Sequence, residues 1–139
     1  MKHSIVLLTI CFSFLQLSAQ SPIGKWDSYD DETGQKKSVI EIYKEGDKLN
    51  GKITELYDKS KTTAVCKECT DDRQNKLIIG MVIMNNLEKD DDEWGGGEIL
   101  DPNNGKIYDC KIWLEGNDIL KVRGYVGFFY RTQTWKRKK

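Results

Sequence analysis

Cys66 and Cys69 stand three positions apart in the stretch VCKECTDDR, and Cys110 follows in KIYDCKIWL. Thiols at such spacing support three chemistries: metal ligation, dithiol redox exchange, or a structural disulfide. A zinc site wants four tetrahedral donors, and here three cysteines would need Asp71 or Asp72 to complete the shell. A redox pair belongs at the start of a helix after a strand, where the helix terminus lowers a thiol pKa. CKEC lies instead in a polar stretch of a β-rich chain. A disulfide is therefore the favoured reading, and two pairings compete. Closing the local Cys66–Cys69 ring contributes about 2 kcal/mol by loop entropy, whereas a link to Cys110 spans some forty residues and contributes about 4. The longer link stabilises more, so Cys69 with Cys110 is preferred and Cys66 with Cys69 is the alternative.

Other clusters carry weaker chemical promise. EKDDDE, Glu88 to Glu93, offers carboxylate oxygens suited to hard cations, but its spacing fits no EF-hand, and a solvated acidic loop is the simpler account. The glycines Gly95 to Gly97 lack the lysine and following helix of a phosphate loop, so they read as a strand bulge. Asp101 or Asp109 with Tyr108 is the one carboxylate grouping with enzymatic promise, although capping of the DPNNG turn explains Asp101 more simply. Arg123 and Tyr125 share one strand face, and Arg131, Gln133 and Trp135 share another. These five are the candidate ligand-binding residues, since apolar walls with a few polar groups make a pocket.

Those side chains need a frame, and the chain supplies one after a leader. MKHSIVLLTICFSFLQLSAQ has a basic start, an apolar run and small residues at Ser18 and Ala19, the layout of a secretory signal peptide. The expectation is a signal peptide over residues 1–19, a single domain over residues 20–139, and export to the periplasm or beyond. Cleavage would remove His3, the only histidine. That leaves no Ser/His/Asp or Cys/His arrangement and counts against an enzyme. Without Lys2, 21 basic side chains face 22 acidic ones, a balance that gives no field to gather nucleic acid. No membrane span, metal or cofactor is expected.

From Gly24 onward the chain repeats a short strand-like run followed by a turn: GKWDSYD, SVIEIYK, LNGKITELYD, LIIGMVIMNNL, GGGEIL, KIYDCKIWL, DILKVRGYVG and FFYRTQTWKR. LIIGMVIMNNL, apolar nearly throughout with Ile and Val, reads as a central strand. In KIYDCKIWL, Tyr108, Cys110, Ile112 and Leu114 alternate with Ile107, Asp109, Lys111 and Trp113. About eight short antiparallel strands hide their edges best by closing. The predicted fold is an all-β, up-and-down barrel, with a two-sheet sandwich second.

GKW near the start and TWKR near the end resemble the lipocalin and calycin arrangement, in which a first-strand tryptophan packs under a last-strand arginine. The resemblance implies Trp26 with Arg137 as the barrel closure, with Arg131 a substitute on the same face. More specifically, the mature chain is similar to the DUF2147 family of small exported bacterial proteins. The residues that carry this are Trp26, Gly34, Gly51, Cys66, Cys69, Gly80, Asp101, Pro102, Gly105, Tyr108, Cys110, Arg123, Gly124, Thr134, Trp135 and Arg137. That family implies fold and export but no reaction. The functional expectation is a non-enzymatic barrel that binds a small apolar or amphipathic ligand; a packed barrel serving as an envelope structural or protein-interaction module is the alternative.

Overall fold

A computed structural model describes residues 20–139; the leader expected over residues 1–19 lies outside the described residues. Eight strands run β1 (Gly24–Tyr29), β2 (Lys36–Glu45), β3 (Lys48–Leu56), β4 (Val82–Asp90), β5 (Glu93–Leu100), β6 (Ile107–Glu115), β7 (Ile119–Val126) and β8 (Phe129–Arg137). Each pairs antiparallel with its sequence neighbours, and β8 returns to β1, so the sheet closes as the expected barrel. Among the described residues no helix is long and apolar enough to cross a membrane.

The turns follow from their residues. Gly46, Gly116 and Gly127 supply the positive φ that opens three of the hairpins. The GGG run forms the anticipated bulge: Gly96 has φ 73 and the β5–β6 register shifts between Trp94 and Gly97.

The two ends of the barrel differ. At the end carrying the β2–β3, β4–β5 and β6–β7 turns, Trp26, Ile42, Leu49, Leu87, Ile112 and Leu120 are fully buried. Large side chains on alternate positions fill the section there and exclude water. Arg137 covers this end, its guanidinium carbon 4.3 Å from the centroid of Trp26. Its nitrogens donate to the carbonyls of Asn117, Ile23 and Ser21, while Trp26 Nε1 donates to Pro22.

At the other end β3 and β4 are joined by residues 57–81, which depart from expectation in two ways. The strand predicted for LIIGMVIMNNL begins only at Val82. Gly80, at φ 92, turns the backbone, and Leu77 forms an isolated bridge with Val65. Secondly, the disulfide is Cys66–Cys69, while Cys110 is free and buried, so the preferred Cys69–Cys110 pairing is corrected to its alternative. The reason is placement. Cys110 pairs in register with Gly97 and Gly124 in the barrel wall, whereas the CKEC turn is held against the β5–β6 connection. There Gly105 abuts the Glu68 carbonyl so closely that a Cβ would overlap it, and Cys66 Sγ lies 3.5 Å from the Pro102 oxygen.

Candidate functional site

The interior is filled at one end only. Above Trp135, Ile40 and Val122 a cavity of about 700 Å³ opens toward the 57–81 loop and the β1–β2, β5–β6 and β7–β8 connections. Its walls mix polar residues with the aliphatic side chains of Ile53, Leu56, Ile78, Ile83, Ile99 and Leu100. Two features keep them apart. At this level the inward position on β7 is Gly124, where a Cβ would lie 3.3 Å from Tyr108, and those on β1 and β2 are the small Ser28 and Ser38.

Ser28 and Ser38, paired across β1 and β2, bring their Oγ atoms to 2.6 Å. Both are buried. On the adjoining strand β8, Trp135 Nε1 donates to Gln133 Oε1 at 3.1 Å, and Gln133 Nε2 donates to Asp31 Oδ2 at 3.0 Å. Arg131 Nη2 reaches the same Asp31 oxygen at 2.6 Å. A polar track thus climbs from the tryptophan floor to the rim. Tyr108 Oη accepts from Asn104 at 3.3 Å. No buried side-chain nitrogen or oxygen among the described residues lacks a partner, so the polar groups cost little to bury.

The track also spans a seam. β1 and β8 share only two register pairs, Trp26 with Arg137 and Asp27 with Lys136. Above them the strands part, and the Asp31 carboxylate bridges the gap to Arg131 and Gln133. Asp31 is positioned by its neighbour: the Asp30 side chain accepts from the Glu32 and Thr33 amides at 2.9 and 2.8 Å. These hydrogen bonds hold the Asp30 carboxyl below its usual pKa.

Three of the five candidate binding residues, Arg131, Gln133 and Trp135, line this cavity. Arg123 and Tyr125 do not. With Leu120 and Val122 buried in the core, strand alternation turns Arg123 and Tyr125 outward. The Arg123 guanidinium sits between Trp113 and Tyr130, 4.8 and 4.3 Å from their centroids, and Nε donates to Thr132. Ser28, Ser38 and Asp31 were missed. Ser28 could have been found, because it shares a strand face with Trp26.

The remaining groupings do not converge. Asp109 projects from the opposite face of β6 to Tyr108, and Asp101 caps its turn by accepting from the Asn103 amide. The disulfide occupies two of the three sulfurs a zinc shell would need. Arg73 engages Asp71 through Nε and Nη2 and holds its carboxyl below the usual range. Among the described residues no group of three or more His, Cys, Asp or Glu is arranged to hold a metal ion.

The family model described as an uncharacterized protein conserved in bacteria (DUF2147) matches residues 24–137. The barrel is similar to protein HP1028 from the human pathogen Helicobacter pylori, described as belonging to the lipocalin family. The TM-score is 0.77 at 21% identity, over 87% of this chain and 85% of that one. The likeness is one of fold. No curated protein matches the chain.

Proposed function

The chain belongs to the DUF2147 family, and from that premise we propose that it is an exported carrier whose half-filled barrel binds a small amphipathic molecule. The observation that supports this most is the cavity: about 700 Å³, with aliphatic side chains on its walls, a short polar track and a charged rim. That size and composition suit a small-molecule site. The apolar part of the ligand would replace water against Ile53, Ile83 and Ile99, gaining about 25 cal/mol per Å² buried. Its polar end would meet Gln133, Arg131 and Asp31 at the rim. The action is sequestration without bond making.

The envelope-module alternative expects a filled interior, and the cavity favours the carrier. Export rests on the leader and is in keeping with the Cys66–Cys69 disulfide, which persists in oxidising compartments. An intact mass beginning at Gln20 would support it.

The binding test is fluorescence titration with a dansyl-labelled fatty acid, in the parent and in Ile99→Trp, which fills the cavity wall. Enhancement in the parent, weakened about tenfold or more in the variant with an unchanged urea midpoint, is the expected result. No enhancement in the parent, or equal enhancement in both, would overturn the carrier reading.

A further inference from the structure

Among the described residues the most exposed apolar side chains lie at one point, the β7–β8 hairpin. Phe128 is 102% exposed, Phe129 83%, Tyr130 62% and Val126 57%. The sequence VGFFY carries no charge from Val126 to Tyr130. Ile107, exposed at the start of β6, lies two residues before Asp109, the register partner of Tyr125, and so stands beside the same tip. Nothing in the fold requires aromatic rings there: Gly127 alone supplies the turn conformation, and Phe128 buries no surface.

We propose that this tip is a bilayer-docking element, inserting Phe128 and Phe129 into the interface of a lipid surface and setting the cavity mouth against it. Shape argues for a lipid over a protein. The apolar side chains crown a tight turn, a convex point that a flat protein face cannot cover but that lipid headgroups and acyl chains can surround. Aromatic rings favour that boundary. Continuity argues the same way. Val126 and Phe129 belong both to the tip and to the cavity lining, so insertion of the tip would set the cavity mouth beside the lipid. Here the inference builds on the carrier reading, but docking itself needs no occupied cavity.

Charge sets the lipid class. Around the mouth, Asp30, Asp31, Asp58 and Asp101 offset Lys36, Lys37, Lys61 and Arg131, and Arg131 is paired with Asp31. The mouth has no cationic excess with which to select anionic lipid. Zwitterionic bilayers should therefore suffice, with little salt dependence.

The test uses the full chain with phosphatidylcholine vesicles and no cavity ligand. Phe128→Trp places a reporter on the tip, read as its difference spectrum from the parent. The expected result is a blue shift with vesicles and quenching when the acyl chains are brominated near the headgroup. Phe128→Ser with Phe129→Ser should weaken the partitioning of the chain by about tenfold or more, the scale set by keeping two rings out of an apolar phase. Both positions are exposed, so an unchanged melting temperature verifies folding.

Absence of quenching in the Phe128→Trp variant would overturn the proposal, even if the chain bound vesicles through another segment. So would unchanged partitioning of the double serine variant. Self-association that the serine variant abolishes, without quenching of the reporter, would assign the tip to a second copy instead. Because no cavity ligand is present, failure here leaves the dansyl titration unaffected, and failure of that titration leaves the docking result unaffected.

Discussion

Arg137 stacks on Trp26 at 4.3 Å while donating to three backbone carbonyls from two separate segments, Asn117 on one side and Ile23 and Ser21 on the other. One side chain thereby ties the β6–β7 turn and the chain entering β1 to the last strand. A lysine could keep the charge but neither the planar stack nor the fork of donors. Arg137→Ala is expected to lower stability by about 2–3 kcal/mol through loss of the stack and the charged hydrogen bonds. Arg137→Lys should recover less than half of that. Urea midpoints for the three proteins give the comparison, and full recovery by lysine would reduce the role to charge alone.

Gly105 makes the second junction. It has φ 72 and faces the Glu68 carbonyl with no room for a Cβ. Gly105→Ala would combine backbone strain with a clash and should cost about 2–4 kcal/mol. The separation should show most in the loop that packs there: proteolysis within residues 57–81 would accelerate more than cleavage elsewhere. Uniform acceleration would mean that the loop is not what Gly105 holds.

Cys110 is a free buried thiol, whereas Cys66 and Cys69, equally buried, are bonded to each other. Burial pushes the Cys110 thiol up to about 12, so the native protein without residues 1–19, which contain Cys11, should resist a thiol reagent at pH 8 and take up one equivalent after unfolding, with Cys66 and Cys69 remaining bonded. The folded pKa is raised above the unfolded one. The associated stability is therefore complete below the unfolded value of about 8.5 and is lost as pH rises toward 12. A Cys110→Ser variant should lack this alkaline dependence.

Acid acts elsewhere, on the β1–β2 connection. The Asp30 pKa is depressed by the Thr33 and Glu32 amides, so its contribution is present above the unfolded carboxylate value and disappears as pH falls through the folded one. Hydrogen exchange at those two amides, corrected for the intrinsic acid dependence, should lose protection over that range. Asp30→Ala, which removes the acceptor, should show weak protection throughout, whereas Asp30→Asn should keep protection without the acid dependence. This loop carries Asp31, so loosening it would also free Arg131 and Gln133 at the rim.

How far the sequence revealed these arrangements depended on whether the governing contact was local. The DPNNG turn, the glycine bulge and the alternation in KIYDCKIWL are written in adjacent residues, and eight strands followed from them. Trp26 and Arg137 were legible through a family pattern. The disulfide was misjudged because loop entropy ranks pairings by length and ignores where the folded chain puts Cys110. Arg123 and Tyr125 were assigned to the pocket on a shared face, yet Leu120 and Val122 on the same strand already fixed that face as the outer one. Asp31 carried no signal: its role exists only because β1 and β8 diverge above Asp27, which no local pattern encodes.

The ladder between β1 and β8 has a consequence for folding. Seven of the eight strand junctions join consecutive segments, whereas this one joins the first strand to the eighth. The ring therefore cannot shut before β8 is free to pair. Until then the chain is an open meander with two unpaired edges, vulnerable to pairing with another chain. The contact of Trp26 with Arg137 is what turns a sheet into a vessel.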